Sequence, residues 1–145
     1  MRTRKTLGLA ESRQALAEML RKADEMGGRP IAIAIMDDRG ELICFAAQAG
    51  VNAALARQNA TKKAYTSACM RQDTLDFEER AKASPQGLAG FGNANLFIGG
   101  GGAVVIATDG TIMGGLGVSG RTAEEDEEIV QVGKALIGRL IQEQA

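Results

Sequence analysis

Apolar residues recur at helical spacing along the first part of the chain. Leu16, Met19, Leu20 and Ala23 form an i, i+3, i+4, i+7 stripe, with Glu11, Arg13, Glu18, Arg21 and Asp24 mostly on other faces, which predicts a helix from about Leu9 to Met26. Gly27-Gly28 supplies its stop. From Pro30 the period changes to two. Ile31, Ile33 and Ile35 alternate with Ala32, Ala34 and Met36, so both faces are apolar and the strand Ile31 to Asp37 is expected to be central and covered on both sides. Asp38-Arg39-Gly40 predicts a tight turn into a second strand, Glu41 to Ala47.

A second helix is expected over about Asn52 to Arg71. Ala53, Ala56, Ala60, Ala64 and Ala68 line one side of it, a stripe small enough for another element to approach closely. Asp73 to Ala83 reads as a short charged helix, and Leu88 to Asn95 as a loop. A short strand is expected at Leu96 to Ile98, before the run Gly99 to Gly102. Ala103 to Ala107 and Thr111 to Val118 follow as strands, joined at Thr108-Asp109-Gly110-Thr111 by a type I′ hairpin signal. Gly114, Gly115 and Gly117 would weaken the last strand unless a backbone or a ligand comes close. Thr122 and Glu125 form a capping box for a final helix whose expected buried stripe is Ile129, Val132, Leu136 and Leu140. Hairpins joined by tight turns imply an α+β domain with an antiparallel sheet of about five strands and helices packed on it.

Composition narrows the chemistry. The chain has 145 residues, 45% apolar, the size of one domain spanning 1–145 with a real core. A formal charge of −1 argues against a nucleic-acid footprint, which wants a basic face. Arg2, Arg4 and Lys5 make a short basic tip with no apolar run behind it, and no stretch is long and apolar enough for a membrane span, so a cytoplasmic protein with two free thiols, Cys44 and Cys69, is expected. Histidine is absent, which removes the commonest general base, metal ligand and haem ligand.

Ile33 to Leu42 resembles the hairpin of the GlcG/HbpS-like family. Lys63-Ala64-Tyr65-Thr66 resembles that family's helix motif, and Gly100-Gly101-Gly102, Asp109-Gly110, Gly117-Val118-Ser119-Gly120 and Glu125-Asp126-Glu127 resemble its C-terminal half. The motifs run in the family's order from about Leu7 to Leu140. The resemblance implies a profilin-like sandwich, a dimer or higher homo-oligomer, and a ligand site between the helix motif and the glycine turn. Relatives include haem-binding sensor proteins, C-terminal domains of corrinoid adenosyltransferases and proteins found beside catabolic enzymes. Two features depart from the haem-binding members: the missing histidine, and Gly102-Ala103-Val104 in place of a Gly-Val-Pro type of turn.

Each candidate site residue has a functional and a structural role to choose between. Gly100, Gly101 and Gly102 would converge N–H groups on an anion, or form a tightly packed turn. Lys63 would supply a counter-charge or, desolvated, a base; a solvated lysine is the alternative. Tyr65 would stack on a planar ligand or sit in the core with a wet tip. Thr66 would join the site or bond back to the Lys62 carbonyl. Ser119 would contact ligand or hold a loop. The Glu124 to Glu128 run would bind a hard cation, or serve the helix start electrostatically, which weighs more; no metal is assigned. Asp37 and Asp38 are expected to diverge. The leading expectation is a small-ligand-binding protein holding an anionic or planar molecule, a haem-like tetrapyrrole or an organic acid. With haem, Tyr65 or Cys69 would replace the histidine. The alternative is an isomerase, hydratase or lyase of small organic acids, with Lys63 or Tyr65 moving the proton and the glycine amides stabilising an oxyanion.

Overall fold

A computed structural model describes residues 4–143, so Arg2 of the basic tip lies outside the described residues. The elements are α1 (Leu9–Met26), β1 (Ala32–Asp37), β2 (Leu42–Ala47), α2 (Ala53–Met70), α3 (Thr74–Ala83), a 3-10 turn (Gly87–Phe91), β3 (Gly102–Ile106), β4 (Ile112–Ser119) and α4 (Ala123–Glu143). The strands form one antiparallel sheet in the order β2-β1-β4-β3.

Both faces of β1 are covered, as its double-sided apolar pattern predicts. Ile31, Ile33 and Ile35 join Val105, Leu116 and Val118 against α1 and α4. Ala32, Ala34 and Met36 face Ala56, Ala60 and Ala64 of α2. The second interface explains the glycines of β4. A Cβ on Gly117 would collide with the Ala60 carbonyl oxygen, and one on Gly115 with that of Ala64. The alanine stripe and the strand glycines are therefore two halves of one close contact between helix and sheet. A smaller cluster, Phe77, Ala81 and Leu96 with Phe91, closes the α3 side.

Three expectations need correction. The sheet has four strands, not about five, because Leu96 to Ile98 forms no ladder; the Phe97 N–H instead donates to Thr66 Oγ1 at 2.8 Å, which satisfies the backbone without a neighbouring strand. The turn at Thr108 to Thr111 is not type I′, which needs positive φ at both central residues. Only Gly110 has it (φ 87°), as only Gly40 does in the first hairpin (φ 76°), and each pairing carries a nearby bulge, the pattern of a longer loop ending in a left-handed glycine. The buried side of α4 is Ile129, Val130, Gly133 and Ile137, rotated from the expected stripe. Gly133 takes the closest approach of α1: a Cβ there would lie 2.7 Å from Met19 Sδ.

The outer edge of β3 is closed. Gly102 N–H donates to Thr74 Oγ1 and Val104 N–H to Asp73 Oδ1, both at 2.9 Å, so the start of α3 takes the place of a fifth strand.

Candidate functional site

Lys63 lies on the sheet-facing side of α2, with 4% of its surface exposed. Its ammonium donates to the Val118 carbonyl at 2.9 Å and to Asp126 Oδ2 at 3.2 Å, and it stands 5.6 Å from the centre of the Phe97 ring. Asp126, 2% exposed, accepts the Arg121 N–H on its other oxygen at 3.1 Å. Burial pushes the Asp126 carboxyl above the ordinary aspartate range, against the pull of the Lys63 ammonium and of the hydrogen bonds from Lys63 and Arg121. The pair ties α2, the end of β4 and the start of α4 together. The glycine turn makes room for it: a Cβ on Gly101 (φ 113°) would sit 2.9 Å from Lys63 Nζ and 2.9 Å from Asp126 Cβ.

Lys63 and the glycine turn are thus brought together, and both have internal partners. Gly101 N–H donates to Glu127 Oε2 at 2.9 Å, and Gly102 N–H is held by Thr74. A Cβ on Gly100 would press on the Ala123 carbonyl at 2.7 Å. The crevice beside Gly99 and Gly100, about 450 Å³, is lined by Glu78, Glu124 and Glu127, a charge that repels anions.

Tyr65 is half-buried on the adjoining side of α2, and its hydroxyl accepts from Asn93 Nδ2 at 3.0 Å. Its ring packs under the β1–β2 turn, where a Cβ on Gly40 would meet Tyr65 Cδ2 at 2.8 Å and Cys69 Sγ at 3.6 Å. Cys69, one helical turn on, is an exposed free thiol, whereas burial pushes the half-buried Cys44 thiol up. Toward the N-terminus of the same side, Arg57 stacks on Phe45 at 5.1 Å. Arg57 and Lys62 also flank a shallow cleft with Thr61. Leu42, partnered with Met36 and so on the α2 face of the sheet, is 54% exposed. Thr66 is fully buried, its oxygen bound by the Phe97 N–H.

Ser119 ends β4, 7% exposed, beside a separate cleft lined by Arg29, Asn59 and Arg121. Asp37 and Asp38, expected to diverge, both reach Arg4, at 3.6 and 2.9 Å. The Glu124 to Glu128 run is divided among other partners: Glu125 caps α4 with Thr122, Asp126 holds Lys63, Glu127 holds Gly101, and Glu128 meets Lys22 at 3.5 Å. Among the described residues no three acidic or thiol side chains converge on a metal position. Asp126 is the residue that sequence reasoning missed: its burial is hidden inside an acidic run that reads as a helix start. Its spacing of three from Ile129 put it on the buried side and was the available signal.

A family model described as haem degrading protein HbpS-like matches residues 7–135. Among solved structures, Klebsiella pneumoniae protein ORFY has a TM-score of 0.84 at 22% identity, over 94% of this chain and 93% of that one. A double mutant of Streptomyces reticuli HbpS has the same score and identity over 95% and 91%. A PduOC:heme complex has a TM-score of 0.78 at 26% identity over 90% and 94%. No curated protein matches the chain in sequence.

Proposed function

The chain belongs to the HbpS-like family, and from that premise we propose that it binds a small planar ligand of the haem type on the side of α2 that carries Tyr65 and Cys69. The observation that carries this is the exposed Cys69 thiol one turn from Tyr65, beside the β1–β2 turn. Thiolate and phenolate are both haem-iron donors, so the residues present fit the group without histidine. Arg57 and Lys62 offer the positive charge that propionates need, and Leu42 and Phe45 an apolar border. Haem bound there would supply one-electron and oxygen chemistry. The chain's own residues would hold it: Cys69 or Tyr65 as donor to the iron, and Arg57 and Lys62 as charge partners of the propionates. The haem-bound relative at 26% identity supports the same ligand class.

The glycine turn supports this site indirectly, by seating Lys63 under Gly101 and so fixing α2 against β4. Proton transfer by Lys63 has no geometric support, because its ammonium is enclosed and engaged with Asp126 and Val118. Native mass spectrometry of freshly purified protein tests the proposal, since it reports assembly size and retained ligand together. Hemin added to ligand-free protein is expected to give a saturable Soret band, while an unchanged free-hemin spectrum at excess protein contradicts the proposal.

A further inference from the structure

We infer that the cleft at the end of β4 is a second binding site, for a small carboxylate carrying a short apolar body. The cleft, about 400 Å³, opens between the start of β1, the end of β4 and the first turns of α2, a volume within the range of small-molecule sites. Ser119 is one of its lining residues. This residue is 93% buried by its 7% exposure, pairs with Ala32 in the sheet, and shares that residue's α2-facing side. Its side chain lines the cleft, and its hydroxyl, which makes no hydrogen bond among the described residues, is open to it rather than enclosed. A hydroxyl that opens onto a cleft and makes no internal hydrogen bond is free to donate to or accept from a bound molecule.

The surroundings are one-sided in charge. Arg29 and Arg121 line the cleft, no acidic residue does, and neither arginine is paired with a carboxylate among the described residues. Arg121 is fixed in place by donating to the Arg29 carbonyl at 2.6 Å and the Ala23 carbonyl at 3.0 Å, and its Nη1 is buried without a partner. Asn59 adds a carboxamide that makes no hydrogen bond among the described residues, and the positive end of α2 lies alongside. The opposite wall is apolar, formed by Pro30 and by Leu55, which is 59% exposed. A carboxylate is held by the hydroxyl, the amide and the arginine charge, while its carbon body covers Leu55. Inorganic phosphate satisfies only the polar half. The site shares no residue with the Tyr65–Cys69 face and does not depend on haem.

Amide NMR titration with sodium butyrate, with inorganic phosphate and butanol in parallel, tests this. Butyrate is expected to shift the Ser119, Gly120 and Asn59 amides saturably and more tightly than either control. Ser119→Ala, which keeps the strand's shape, is expected to weaken butyrate by roughly tenfold, the scale of one charge-assisted hydrogen bond. Asn59→Leu gives an independent check and is expected to weaken it as well. No saturable shift, equal affinity for phosphate or butanol, or undiminished binding in both variants overturns the inference.

Discussion

Replacing Lys63 by methionine separates a structural cation from a ligand-facing one. Methionine keeps the length and the apolar stem but removes the ammonium that lies 3.2 Å from Asp126 Oδ2 and 2.9 Å from the Val118 carbonyl. Asp126 is then left 2% exposed with only the Arg121 N–H for support. Removing one partner of a buried pair costs about 3–5 kcal/mol, which at this chain length lowers Tm by roughly 10–15 °C. Asp126→Leu alone is expected to cost a similar amount, because it strands the ammonium. The double variant Lys63→Met/Asp126→Leu removes both charges and is expected to recover most of the loss, a coupling of at least about 2 kcal/mol. Urea unfolding followed by circular dichroism measures all four proteins. A Lys63→Met cost below about 0.5 kcal/mol, the surface-substitution range, or a double variant that loses the sum of the singles, refutes the assignment.

In Lys63→Met the carboxyl of Asp126 feels burial without its cation, so its folded pKa rises further above the unfolded value. The native state then binds the extra proton, so the contribution of Asp126 is full below its unfolded pKa and is lost as pH rises through the folded pKa; a urea midpoint of Lys63→Met that rises with pH relative to that of the wild type contradicts this (about 1.4 kcal/mol per unit of pKa difference). Gly117→Ala forces a Cβ into the Ala60 carbonyl and is expected to cost at least about 3 kcal/mol by thermal unfolding, whereas a neutral result removes the close helix–sheet contact. Asp73→Ala frees the Val104 N–H and removes contacts to Gln131 at 3.0 Å and Lys134 at 2.9 Å. It is expected to cost about 2–3 kcal/mol in urea and to promote association through the opened β3 edge, seen by light scattering.

Much of this architecture was legible because it rests on period and size. The two-sided apolar run of Ile31 to Met36 announced a central strand, and the alanine stripe of α2 announced a close neighbour, which the β4 glycines then proved to be. The misreadings came from tertiary bonds that leave no local trace. Leu96 to Ile98 has a strand's composition but gives its amide to Thr66, far away in sequence. Asp126 carries the helix-start charge that its neighbours carry, yet it alone of the run is buried. The glycine run looked like an anion cradle because spacing cannot reveal that Glu127 and Thr74 already occupy the Gly101 and Gly102 amides. Lys63 and the glycine turn did meet, as the motif pairing implied, and geometry gave them a shared structural task.

The central claim, a haem-type ligand held beside Tyr65 and Cys69, is tested most directly by hemin titration of the wild type, Tyr65→Phe and Cys69→Ala, followed at the Soret band. A saturable band whose position or affinity changes in at least one variant is predicted. No protein-dependent band, or a band identical in all three proteins, contradicts the account.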